Sequence, residues 1–96
     1  MERNAYMVLA SFKEGTDMSE VLSVVAEEQQ RVAQLQNEGR LGAVYLATAT
    51  RKTVFLEVFA TDLADAASTV RTLPMAQWWN IDVFELNAPA KAAAAS

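Results

Sequence analysis

The longest periodic run of apolar and polar positions lies between Asp17 and Gly39. At about 100° per residue, Val21, Val24, Val25, Val32 and Leu35 fall on one side, and Ser23, Gln30, Gln34 and Asn37 fall opposite. This spacing predicts one amphipathic helix. Asp17 with Glu20 has the form of a capping box, and Gly39 supplies a residue suited to a left-handed C-terminal turn. Tyr6 to Phe12 is apolar on both faces, as a central strand covered on both sides would be. Gly42 to Thr50 and Thr53 to Ala60, separated by Arg51-Lys52, read as an antiparallel pair. In the second run Val54, Leu56 and Val58 alternate with Phe55, Glu57 and Phe59, so the aliphatic face should meet the helices. The parity of Gly42 to Thr50 is open. A second helix is predicted from Asp62 to Leu73, with Leu63, Ala66, Ala67 and Val70 at helical spacing and Pro74 forbidding its continuation. Met75 to Trp79 is a connection rich in large side chains, and Asn80 to Leu86 is a last strand.

The order β-α-β-β-α-β carries a weak internal echo. Thr16-Asp17-Met18 with Ser23 and Val25 recurs 45 positions later as Thr61-Asp62-Leu63 with Ser68 and Val70. Two such halves make an α+β, ferredoxin-like plan, with two helices on one face of a four-stranded antiparallel sheet. The opposite face, bearing Phe55, Phe59 and Phe84, needs a cover, and a second copy of the sheet would supply it. The chain is therefore expected to be a homodimer or larger homo-oligomer. Residues 1–89 form the single domain, and 90–96 read as a flexible alanine-rich tail.

Composition narrows the chemistry. Ninety-six residues, 52% of them apolar, suffice for one small core. There is neither cysteine nor histidine, which removes disulfides, Ser-His and Cys-His nucleophile systems, and His or Cys zinc sites. No metal and no cofactor is implied, since phosphate loops and nucleotide fingerprints are missing. A net charge of −4 without a basic cluster argues against nucleic acid or an anionic membrane as partner. No apolar signal region opens at Met1-Glu2-Arg3-Asn4 and no apolar run approaches the roughly 20 residues of a membrane span, so a cytoplasmic location is expected.

One residue is out of place in the long helix. Glu28 projects into the apolar stripe, between Val25 and Val32. Either it reaches water at the stripe's edge or pairs with Arg31 at i+3, or it lines a cavity, where burial raises a carboxyl pKa toward the range of a general base.

Leu73-Pro74-Met75, then Asn80-Ile81-Asp82-Val83, Leu86 and Pro89, resembles the closing segment of the muconolactone delta-isomerase family. Ala26-Glu27-Glu28 resembles that family's alanine-arginine-glutamate, Glu38-Gly39 its helix end, and Leu56-Glu57-Val58 its third strand. The likeness spans most of residues 5–89. It implies a protomer of the dimeric α/β barrel superfamily with a pocket between helices and sheet, and a reaction that moves a double bond within a small unsaturated lactone. Glu28 falls where the family has its helix glutamate. In such a reaction Glu28 would be the base, while Tyr45, or an indole N–H of Trp78 or Trp79, would steady the dienolate oxygen. Val25, Val32, Trp78 and Trp79 are the candidate substrate-binding residues. For Tyr45 the alternative is a strand tyrosine with its hydroxyl in water; for the two tryptophans it is a subunit contact. Glu27 replaces the family's arginine, Asn87-Ala88-Pro89 lacks its histidine, and Tyr45-Leu46 replaces a tryptophan-arginine pair. The expected partner is a small-molecule ligand or substrate, handled by an isomerase or by a non-catalytic binding or assembly protein of the same superfamily.

Overall fold

Asp17 and Asp62 are the two points at which the chain turns from strand into helix, and each caps the helix it opens. Asp17 accepts from the Ser19 N–H (2.9 Å) and hydroxyl (2.6 Å), and Asp62 accepts from the Asp65 N–H (2.7 Å). Each satisfies a backbone donor that has no partner within its helix. The computed structural model describes residues 3–48 and 52–86; the alanine-rich tail and the end of the run predicted to reach Thr50 lie outside them. In chain order the elements are β1 (Asn4–Phe12), α1 (Met18–Leu22), α2 (Val25–Asn37), β2 (Leu41–Ala47), β3 (Thr53–Ala60), α3 (Leu63–Arg71), a 3-10 helix (Pro74–Trp78) and β4 (Trp79–Glu85). The strands form one antiparallel sheet in the order β2-β3-β1-β4. This is the ferredoxin-like arrangement, with the doubly apolar β1 in the interior of the sheet. No helix among the described residues is long and apolar enough to cross a membrane.

The single helix predicted from Asp17 to Gly39 is broken. The Ser23 N–H is shared between the Ser19 and Glu20 carbonyls, the Ser23 hydroxyl also donates to Glu20 O at 2.6 Å, and Val24 leaves helical geometry at φ −111. A serine that bonds its own backbone, followed by two β-branched residues, favours such a break. The far end behaves as the sequence predicts. Gly39 takes φ +74, and the N–H groups of Gly39 and Arg40 return to Gln36 O and Leu35 O, which closes α2 by a left-handed cap.

Tyr6, Val8 and Ala10 of β1 and Val54, Leu56, Val58 and Ala60 of β3 form the buried side of the sheet. Their alternates Phe55, Glu57 and Phe59 are half-buried on the other side, with Phe84 51% exposed. The run left open by parity turns on a bulge. Leu41 pairs with Val58 and Val44 with Leu56, so Gly42 and Ala43 together oppose Glu57. Glu57 accepts from the Ala43 N–H there (3.2 Å), and a Cβ on Gly42 would collide with its carboxylate. The extra residue shifts the alternation, so Leu41, Val44 and Leu46 all face the helices and Tyr45 faces away.

Candidate functional site

Between α2 and the β2–β3 edge of the sheet lies a cavity of about 420 Å³, within the size range of small-molecule sites. Val25, Val32 and Ala33 form its helical wall, Val44, Val54 and Leu56 its sheet floor, and Met75 and Trp79 its end. Leu46, Gln29 and Gln36, all exposed, stand at the mouth. The helical wall uses short side chains, which do not fill the space above the sheet.

Glu28 enters this apolar space and is only 9% exposed. Its Oε1 accepts the Met75 N–H at 2.9 Å, a donor left free at the start of the 3-10 helix because Pro74 and its neighbour begin the turn. Burial pushes its carboxyl pKa up, and the Met75 hydrogen bond pulls it partly back. Arg31, the predicted i+3 partner, turns elsewhere, donating to the Thr72 hydroxyl (3.2 and 3.1 Å) and to Gln34 Oε1 (3.0 Å). Trp79 also lines the cavity. That side chain is 3% exposed, meets Phe12 edge-on with ring centroids 6.1 Å apart, and its Nε1 is buried without a hydrogen-bond partner. Orphaned buried donors are rare. Here the residue lines the cavity while its Nε1 is enclosed in the surrounding packing.

The sequence-predicted site residues thus divide. Glu28, Val25, Val32 and Trp79 line one cavity. Tyr45 does not join them: it pairs with Phe55 on the opposite face of the sheet and is 62% exposed, because of the bulge. Trp78 ends the 3-10 helix, half-buried, away from the cavity lining, and its carbonyl accepts the Lys13 N–H (2.7 Å). The main residue missed was Met75, whose part is played by a backbone N–H and so has no side-chain signature; Pro74 before it was the available hint. Val44 and Leu46 were missed with the parity of their strand. A larger, open hollow of about 640 Å³ near Arg3, Arg40, Thr61 and Asp65 is of another kind. Its guanidinium groups already serve the fold, Arg3 on the Glu38 and Gly39 carbonyls and Arg40 on Thr69 and beside Asp65. Among the described residues no group of three or more acidic side chains is placed to hold a metal ion.

Fold and cavity together define an α+β protein with two βαβ-type halves and a buried acid in an apolar pocket between helix and sheet. The chain belongs to the muconolactone delta-isomerase family, whose model matches residues 5–91. A crystal structure of muconolactone isomerase has the same fold, with a TM-score of 0.72 over 93% of this chain and 94% of that one at 19% identity. A search of curated proteins finds no match.

Proposed function

We propose that the protein is a cofactor-free isomerase that shifts a C=C bond in a small unsaturated carbonyl compound of the lactone type. The observation that carries this reading is a desolvated carboxyl, that of Glu28, in an apolar cavity of small-molecule size. Glu28 as carboxylate takes a proton from the carbon beside the carbonyl system. The C–H electron pair moves into a dienolate, and a turn of the Trp79 indole that opens its buried N–H to the cavity would let it receive the negative oxygen. Return of the proton to the γ-carbon completes the shift and restores Glu28. One proton leaves and one arrives, so no other reactant is needed. The test is proton exchange and double-bond migration of an unsaturated γ-lactone in D₂O, followed by NMR. Wild type should catalyse both and Glu28→Gln neither. Equal rates in the two proteins would sink the reading.

A second reading has its own observation. Glu28 caps the 3-10 helix through Met75, which is a structural task, so a protein that binds a ligand without turning it over would also keep this residue. The same measurement separates the two, since a pure binder shifts the ligand's resonances without exchange. We further propose a homo-oligomer in which a second sheet covers the face with Phe55, Phe59 and Phe84. Phe55→Glu would place a charge in that contact without a partner. It should convert the assembly to monomers in analytical ultracentrifugation, and a wild type monomeric at micromolar concentration would remove the proposal.

A further inference from the structure

We propose that the backbone N–H of Met75 is the positioning group of the site: it ties one oxygen of Glu28 and leaves the other to face what occupies the cavity. This deepens the isomerase reading and rests on it. The neighbours of Met75 leave its N–H available. The Leu73 N–H donates to Val70 O and the Ala76 N–H to Leu73 O, both at 3.0 Å, and Pro74 has no N–H to give. Met75 thus carries the donor of this turn that has no backbone acceptor, and Glu28 Oε1 takes it at 2.9 Å. Glu28 Oε2 has no hydrogen bond among the described residues, yet unlike Trp79 Nε1 it is not enclosed by packing. The two oxygens therefore differ in role. Oε1, already an acceptor, is the less basic, so a proton taken from a ligand goes to Oε2. The same contact governs when the carboxyl is charged, because burial opposes ionisation and the Met75 N–H favours it. On its own helix Glu27 is exposed and Arg31 is bound to Thr72 and Gln34. The walls that β2, β3, the 3-10 helix and β4 turn to the cavity are Val44, Leu46, Val54, Leu56, Met75 and Trp79, all uncharged. Holding a base by one oxygen also fixes its direction, which is what proton transfer to a bound molecule requires.

The experiment replaces the Met75 amide by an ester in the full chain, made by chemical synthesis, which removes one N–H and keeps every side chain. With an unsaturated γ-lactone in D₂O, the acid limb of kcat/KM should move to higher pH. The rate on that limb should fall about ten-fold or more, the scale of a lost hydrogen bond to a carboxylate, while KM stays within about two-fold. Met75→Leu keeps the N–H and should leave the limb in place. In wild type, whether or not the ester folds, the Met75 amide proton resonance should follow the Glu28 carboxyl titration, and that dependence should vanish in Glu28→Gln. A limb that stays put in the folded ester, or an amide resonance indifferent to Glu28 ionisation, overturns the inference and leaves the isomerase reading standing. A wild type inert towards the lactone removes the isomerase reading, and the amide titration then decides the role of Met75 by itself.

Discussion

The two halves of this chain begin alike and are packed differently. In the second, α3 lies close on the sheet: Ala66, Thr69 and Val70 are fully buried. Its one buried polar side chain is satisfied on both sides, the Thr69 hydroxyl donating to Asp65 O (2.9 Å) and accepting from Arg40 Nη2 (2.8 Å). In the first, α2 buries only Glu28 and Leu35, and a cavity separates its middle from the sheet. Glu28 has one side-chain hydrogen bond among the described residues; Trp79, which β4 of the second half brings to the same cavity, has a buried Nε1 with no partner. The 45-residue repeat places Leu73, 3% exposed in the core, where the first half has Glu28. The second half thus seats its helix on the sheet with the buried threonine paired, and the first keeps space beneath its helix and a buried carboxyl with a single hydrogen bond. Departures from full satisfaction concentrate where a protein has something to bind.

Inserting the same ring into both halves puts this contrast under the severest strain. Ala66→Phe forces an aromatic side chain into a filled interior, and overpacking of this kind costs about 1–3 kcal/mol, occasionally more. Val32→Phe points the same ring into the cavity. Urea unfolding should therefore show a large loss for Ala66→Phe and none, or a gain of up to about 1 kcal/mol, for Val32→Phe. Similar losses at both positions would mean that the cavity closes in solution and the halves are alike.

A smaller effect is expected from Glu28→Gln. Burial raises the folded-state pKa of Glu28 above its unfolded value, so the folded chain holds this proton more tightly. The resulting stability is fully present below the unfolded value and is lost as pH rises through the folded one. The substituted amide stays neutral throughout and can still accept the Met75 N–H through its oxygen. The variant should then be equal to wild type or more stable by up to about 1 kcal/mol at pH 7, with the difference vanishing below about pH 4. Denaturant midpoints measured across that range check the sign. A variant less stable than wild type at neutral pH would show that the ionised carboxylate is well accommodated, and the contrast with the paired Thr69 would disappear.

Features decided by local chemistry could be read from the order of amino acids alone. The cap at Asp17, the left-handed Gly39, the alternation of β3 and the stop at Pro74 depend on residues within a few positions of one another, and the element order follows from them. Glu28 was visible for the same reason: a helix repeats every 3.6 residues, so a carboxylate inside an apolar stripe shows without any tertiary information. The break at Ser23 was a local competition between side-chain and helical hydrogen bonds, too close to be settled by apolar spacing. Other features needed the folded chain. The bulge opposite Glu57 depends on pairing between two strands, and a one-residue shift moved Tyr45 to the far face while bringing Val44 and Leu46 to the cavity. Trp79 rather than Trp78 faces the cavity because the 3-10 helix ends between them and β4 begins. The partner of Glu28 is a backbone N–H 47 residues away. Backbone donors carry no residue signature, so only the packing of α2 against the 3-10 helix could reveal that contact.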